Sequence, residues 1–243
     1  IVFSGDSTTR GFGAGEDVSG VNNQAAYALP SALKTLLQAR GYSAGRDSVF
    51  GGGVADTTSN FLLADSRISF GAGWGLTISP TETTGGTWFI NSTDTSAIVF
   101  TPTDPWDRVY VYYRRNTGVV TLQVDSGGLT TLDTSPGVDS RQQVYSLSTT
   151  LGSHTFAIAR VSGAAQIGGI EFENTTNARK QIINLARAGA AASNAAKTAV
   201  QAGPLPSLGK ILEQRTAPLV CVNYGINDEN GGVTTDSFKT DMQ

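Results

Sequence analysis

The sequence has few of the residues that usually carry disulfide or metal chemistry. Cys221 is its only cysteine, so an internal disulfide is excluded and the redox compartment stays undetermined. This cysteine lies in an apolar run, which favours an inert buried thiol. His154 is the only histidine, and the carboxylates are scattered along the chain. Because these residues form no recognisable ligand set, we expect neither a metal nor any other cofactor.

Charge and long apolar runs are scarce as well. Charged residues make up 15% of the 243 positions, below the usual fraction of about a quarter. The 17 basic and 20 acidic residues give a net charge of −3, and no basic run is longer than Arg114–Arg115. Nucleic-acid binding through phosphate neutralisation is therefore not expected. No apolar stretch approaches the ~20 residues that cross a bilayer, so no membrane span is expected either.

What remains is a glycine-rich chain with enough apolar residues for a core. Apolar residues make up 39% of the chain and glycine occupies 29 positions, which together favour short strands and turns. No signal peptide is visible. Residues Ile1–Phe3 already have a strand-like pattern, so we expect the numbering to begin inside folded structure.

The periodicities divide the chain into three zones. Residues 1–65 are predicted to form a strand, a helix at 25–40 and a short strand at 48–50. Residues 66–175 show short alternating segments bounded by turn residues, which is typical of a β-sandwich. Residues 176–243 return to alternating strands and helices. The first and third zones therefore belong to one α/β layer, with the sandwich inserted between them.

The elements of the second and third zones are assigned as follows. In the sandwich zone we predict seven strands, at residues 86–91, 97–101, 108–114, 119–125, 143–147, 154–161 and 166–173. In the third zone we predict strands at 181–185 and 217–223, and helices at 193–202, 207–215 and from 235 onward.

The first candidate for chemistry is Ser7, in the tripeptide Gly5-Asp6-Ser7 directly after the first strand. A residue just beyond the carboxyl end of a parallel strand faces the crevice where open α/β sheets bind ligands. The alternative is a simple loop turn with a helix-capping Asp6 or Ser7.

Two further segments follow predicted strands in the same way. Asn227 lies in the run Asn223–Asp228 after the most apolar strand, and its side-chain amide is a hydrogen-bond donor; the alternative is an Asx-turn. Gly189 lies between a strand and a helix start, where bare backbone N–H groups bind negative charge; the alternative is close helix–sheet packing. Gly53 is a rival for the same role, and we prefer Gly189 because a strand and a helix flank it.

Together these segments resemble the SGNH (GDSL-like) hydrolase family. The resemblance implies that Ser7 is the nucleophile and that the backbone N–H groups of Ser7 and Gly189, with the Asn227 amide, form an oxyanion hole. Asp6, Gly225 and Asp228 would support the site. The implied fold is a three-layer α/β/α flavodoxin-like sheet, incomplete at the carboxyl terminus, with an inserted jelly-roll-like sandwich. Residues 1–65 and 176–243 would be the two parts of the hydrolase domain, and 66–175 the insertion.

The chain departs from the family in lacking its downstream Asp-x-x-His block. His154 lies in the sandwich zone, upstream of Gly189, and we interpret it as a structural residue because its position does not promise catalytic geometry. We therefore expect the polypeptide to continue beyond Gln243, with the catalytic histidine and aspartate in that part.

One aromatic strand face has two interpretations. On the predicted strand 108–114, Tyr110, Tyr112 and Arg114 fall on one face. These side chains either stack on sugar rings or cover the hydrolase layer, and packing is the favoured interpretation. The same ambiguity applies to Trp74 and Trp88.

The resemblance implies a serine esterase that works by acyl transfer through Ser7. Its substrate is predicted to be an acetylated polysaccharide or another small-acyl ester, and its location extracellular or on a virion. One alternative is a glycan-binding or phage-tail structural module with an inactive hydrolase layer. The other is a lipase or thioesterase on the same scaffold.

Overall fold

The computed structural model describes residues 1–5, 28–45, 47–50, 65–78, 87–115, 118–135, 142–176, 180–184 and 219–223. In this part of the chain there is one helix, α1 (Leu29–Ala39). The strands are β1 (Val2–Gly5), β2 (Ala44–Gly45), β3 (Ser48–Phe50), β4 (Ile68–Phe70), β5 (Trp74–Ile78), β6 (Thr87–Asn91), β7 (Ala97–Phe100), β8 (Trp106–Arg114), β9 (Val119–Val124), β10 (Thr130–Asp133), β11 (Gln142–Gly152), β12 (Phe156–Ser162), β13 (Ala165–Glu173), β14 (Lys180–Gln181), β15 (Ile183–Asn184) and β16 (Val220–Asn223).

Three short strands form a parallel sheet in the order β15–β1–β16. β1 is the central strand, with Val2 opposite both Ile183 and Val220. Each of the three strands begins with a β-branched apolar residue, a type enriched in strands: Val2, Ile183 and Val220. The sheet therefore joins the amino-terminal segment to two segments from the last third of the chain.

Helix α1 lies against this sheet and confirms the central part of the predicted helix. It begins with a proline in its first turn, where no N–H is needed. Leu33 and Leu37, one turn apart, pack with Ile1, Ile182 and Cys221. The helix ends at Ala39 and is followed by a Schellman motif, in which Gly41 has a φ of +79° and the Tyr42 N–H donates to the Leu37 carbonyl at 2.9 Å.

Two antiparallel sheets form the predicted β-sandwich. One has the order β10–β9–β12–β7–β4 and the other β11–β8–β13–β6–β5. Their inner faces meet in one apolar core, where the Phe172 ring of the second sheet lies 6.5 Å from Phe100 and 6.0 Å from Phe156 of the first. Aromatic pairs at this spacing add to the stabilisation from area burial alone.

The segment from β2 to β3 connects the two parts. β2 pairs in parallel with β14, which directly precedes β15 of the parallel sheet. β3 pairs antiparallel with β13 of the sandwich, with Ser48 opposite Glu171 and Phe50 opposite Gly169. The six-stranded sheet therefore includes β3, which precedes the predicted start of the sandwich zone at residue 66. The predicted domain boundaries at residues 65 and 175 stay a prediction.

The three-layer α/β/α arrangement is not confirmed. The described part of the chain is mostly antiparallel β-structure, with one helix on a three-stranded parallel sheet. The helices that would complete the layers, predicted at 193–202, 207–215 and from 235 onward, lie outside the described residues. The one helix described here is too short and too polar to cross a membrane.

Candidate active site

The parallel sheet brings together the carboxyl ends of the three strands that precede the predicted site residues. The register pairs Gly5 with Asn223 and Phe3 with Asn184. Because parallel strands point the same way, all three segments leave the sheet at the same edge. In open α/β sheets this is the edge where ligands bind.

The predicted site residues themselves, Asp6, Ser7, Gly189, Gly225, Asn227 and Asp228, lie outside the described residues. Their distance along the chain from the strand ends limits their reach. At ~3.3–3.6 Å per residue, Ser7 is within ~7 Å of Gly5, Asn227 within ~14 Å of Asn223 and Gly189 within ~18 Å of Asn184. Since neighbouring strands are only ~4.8 Å apart, these lengths allow the three residues to meet.

The strand pairings also distinguish the two candidate oxyanion glycines. The strand before Gly53 is β3, which belongs to the antiparallel six-stranded sheet. The strand before Gly189 is β15, which lies directly beside β1 in the parallel sheet. Of these two glycines, only Gly189 therefore follows a strand that neighbours the strand before Ser7.

His154 is held by its neighbours in the sandwich. Its Nδ1 lies 2.7 Å from Oδ2 of Asp125 and its Nε2 lies 2.8 Å from the Thr150 carbonyl oxygen. Both partners are hydrogen-bond acceptors, so this geometry suits the protonated imidazole, in which both ring nitrogens donate. The bond to Asp125 raises the pKa of His154 accordingly. Because both ring nitrogens already have partners within the sandwich, neither is placed to accept a substrate proton, which supports the structural interpretation.

The aromatic face of β8 is used for packing at its centre. Tyr112 is 1% exposed, its hydroxyl donates to Oε2 of Glu171 at 3.0 Å, and its ring lies 5.2 Å from that of Phe50. Tyr110 donates to Glu173 at 2.8 Å. The Tyr112 ring is covered and is not available to stack on a sugar, which favours the packing interpretation.

The tryptophans that were candidates for sugar stacking are also covered. Trp74 is 6% exposed and donates its indole N–H to the Ser96 carbonyl at 2.8 Å. Trp88 is 1% exposed. Neither ring offers a free face to a ligand, so neither supports the glycan-stacking interpretation.

A buried ionic cluster, which no sequence pattern indicates, lies where helix α1, β3 and the sandwich meet. Arg67 binds both carboxylate oxygens of Asp65, at 2.8 and 2.6 Å, and donates to the Ser48 carbonyl at 3.2 Å. Its guanidinium also lies 3.7 Å from Asp47. Nothing in the local pattern marks these residues, since Asp47 and Arg67 belong to different segments.

Two further contacts extend this cluster to the helix. Both the backbone N–H and the hydroxyl of Thr103 donate to Oδ1 of Asp47 at 3.1 Å. Lys34 of α1 forms a 2.7 Å ion pair with Asp104. Burial raises the pKa of Asp47, and its hydrogen bond to Asp104 acts in the same direction. The Lys34–Asp104 ion pair thus ties α1 to the sandwich by a charge-assisted bond.

The described residues contain no group of three or more histidine, cysteine, aspartate or glutamate side chains that could hold a metal ion. Cys221 is free and partly buried on β16.

Comparisons with known proteins identify a shared fold. The chain is similar to a solved structure of a peptidoglycan O-acetylesterase, with a TM-score of 0.66 and 18% sequence identity over 99% of this chain. The chain spans 60% of the length of that esterase. No family model and no curated protein matches the sequence.

Two weaker likenesses concern about half of the chain. A carbohydrate-binding module from Clostridium stercorarium, solved with cellobiose, has a TM-score of 0.35 and 12% identity over 55% of this chain and 98% of its own. A two-domain esterase active on acetylated mannans has a TM-score of 0.35 and 11% identity over 53% of this chain and 37% of its own. The fold likeness therefore rests on the peptidoglycan O-acetylesterase.

Proposed function

We propose that the protein is a serine esterase of the SGNH type that removes acetyl groups from a carbohydrate. The observation that carries this proposal is the parallel register of β1 with β15 and β16, which brings the segments leading to Ser7, Gly189 and Asn227 to one sheet edge. The fold likeness to a peptidoglycan O-acetylesterase supports an O-acetylated glycan as the substrate class.

In the proposed reaction, Ser7 Oγ attacks the carbonyl carbon of the acetyl ester. A bond forms between Oγ and carbon, and the Ser7 proton passes to a general base. The sugar hydroxyl then leaves with a proton, and water hydrolyses the acetyl-enzyme to acetate and free serine. Because both ring nitrogens of His154 already bond to Asp125 and Thr150, His154 is not the base that we propose.

The oxygen that becomes negative in the tetrahedral intermediate needs hydrogen-bond donors. The backbone N–H groups of Ser7 and Gly189 and the side-chain amide of Asn227 are the proposed donors. Removal of one such donor typically costs ~2.7–4 kcal/mol of transition-state stabilisation. Asp6, Gly225 and Asp228 would hold the loops that carry these donors.

Labelling with a serine-directed fluorophosphonate tests the nucleophile in the native protein. The expected result is a single adduct on Ser7, lost in Ser7→Ala together with turnover of a small acetyl ester. Ser69→Ala is the matched control, because Ser69 is exposed on the edge strand β4 and lies in the sandwich. This control should keep both the adduct and the turnover.

The same experiment separates the alternatives. Turnover that survives Ser7→Ala would remove Ser7 from the mechanism. A folded protein with neither adduct nor turnover would favour a glycan-binding or virion structural role. A series of acyl chain lengths distinguishes the remaining class, since an acetylesterase should lose activity as the acyl group lengthens and a lipase or thioesterase should gain it.

A further inference from the structure

Strand β11 forms an unusually long edge of the six-stranded sheet. It runs from Gln142 to Gly152, and among the described strands it pairs only with β8. Residues 142–152 contain no charged residue and no proline. A long edge strand without such residues presents its unpaired backbone groups to other strands.

The other edge strands of the two sandwich sheets are shorter in the described residues. β4 and β10 are short, with three and four residues, and β10 also carries the charged Asp133. β5 has five residues. In β11 the pairing with β8 becomes irregular only between Ser148 and Gly152, which leaves residues 142–148 in regular register. This regular half of β11 has none of the features that prevent edge-to-edge pairing.

Two apolar side chains of β11 at the border of the sandwich core are partly exposed to solvent. Tyr145 and Leu147 point towards the sandwich core and pack against it, but both are only partly buried. Ser146 and Ser148, on the other face, are exposed. A strand added at this edge would cover the two apolar side chains and leave the serines on the surface.

We infer that β11 pairs antiparallel with β11 of a second copy of this chain. With the two-fold axis at Ser146, Tyr145 of each copy lies opposite Leu147 of the other, so the two apolar rims cover each other. In a two-fold pair the residues of β11 face residues of the same strand in the other copy, so a charge near the axis would lie close to an identical charge. β11 carries no charge, and this favours a second copy as the partner. The resulting dimer has one continuous sheet across both sandwiches.

Sedimentation velocity of the protein at several concentrations tests this inference. The parent protein should sediment as a species of twice its own monomer mass. Ser146→Lys should raise the dimer dissociation constant by at least roughly tenfold, since it places two like charges opposite each other at the axis. Ser69→Lys, which adds the same charge to the exposed and much shorter edge strand β4, should leave the dimer intact.

Disulfide trapping tests the register. Opposite residues of an antiparallel pair have Cα atoms ~4.5–5.5 Å apart, within the range a disulfide spans. In a Cys221→Ser background, Ser146→Cys should therefore cross-link into a dimer under mild oxidation and Ser69→Cys should not. A parent chain that stays monomeric at high concentration, or a dimer that Ser146→Lys leaves unchanged, would overturn the inference.

Discussion

The Nδ1 atom of His154 lies 2.7 Å from Oδ2 of Asp125, and this pair links the turn after β9 to the turn between β11 and β12. Asp125 has a φ of 51°, a left-handed conformation that aspartate tolerates better than most residues. Its other carboxylate oxygen accepts the Thr155 N–H at 2.8 Å. Trp106 completes the arrangement, with its indole N–H donating to the His154 carbonyl at 3.2 Å. The only histidine in the sequence thus holds together two turns of the sandwich.

The His154–Asp125 pair predicts how stability depends on pH. The hydrogen bond to Asp125 raises the pKa of His154 in the folded protein. Its contribution to the free energy of unfolding is therefore complete below pH ~6.5, the ordinary pKa of histidine in the unfolded chain, and is lost as the pH rises through the folded-state pKa. The same bond lowers the pKa of Asp125, so that its contribution is lost as the pH falls below ~4. The pair should therefore stabilise the sandwich most between about pH 4 and 6.5.

Thermal unfolding between pH 5 and pH 9 measures this contribution against His154→Gln. The Asp125 side chain is 47% exposed, so solvent screens the pair. At pH 5 the free energy of unfolding of the parent should therefore exceed that of the variant by only about 0–1 kcal/mol. The difference should shrink towards pH 9. An equal difference at both ends would show that protonation of His154 does not contribute.

Substitution of Arg67 should destabilise the protein strongly. Arg67→Met removes the buried guanidinium that pairs with Asp65 and lies 3.7 Å from Asp47, and breaking a buried pair in this way typically costs ~3–5 kcal/mol. Urea unfolding measures the loss, and Arg40→Met at the exposed end of α1 is the matched control with an expected change below ~0.5 kcal/mol. Similar losses in both variants would contradict the structural role of the cluster.

Gly169 is required where β3 pairs with β13. A Cβ atom at this position would overlap the Phe50 ring. Gly169→Ala should therefore displace β3 and lower the free energy of unfolding by ~1–3 kcal/mol, the usual cost of overpacking. Gly128→Ala, at a position with open space around it, should change it much less. Equal unfolding midpoints for the two variants would show that the Phe50 contact is easily rearranged.

The sandwich strands could be predicted well where alternation and turn residues coincide. All seven predicted strands are present, with ends shifted by a few residues, because turn residues bound each segment. In β7, β9 and β12 buried and less buried side chains also alternate. β4 and β5 were missed since Gly71 and Gly73 interrupt their pattern. β10 was missed because its run Thr130–Asp133 has a single buried apolar residue, Leu132.

Pairing between distant segments could not be predicted from local pattern. The segment Ser48–Phe50 was correctly predicted as a strand, but its place beside β13 depends on Gly169 and on the Arg67 cluster, which no periodicity reveals. At the candidate site, the strands that precede Ser7, Gly189 and Asn227 do lie side by side in parallel. Their loops fall outside the described residues, so the roles of these three residues stay predictions.

The role of Asn227 can be tested by a split in the kinetic constants. A donor that bonds the oxyanion acts on the transition state, so Asn227→Ala should lower kcat on a small acetyl ester by about 10²–10³-fold and leave KM nearly unchanged. Steady-state kinetics of the native protein and the variant provide the measurement, with circular dichroism as the check on folding. A rise in KM at constant kcat would instead assign Asn227 to substrate binding. Attack of Ser7 on the fluorophosphonate also places negative charge on an oxygen in the proposed oxyanion hole, so the reagent should react more slowly with the variant.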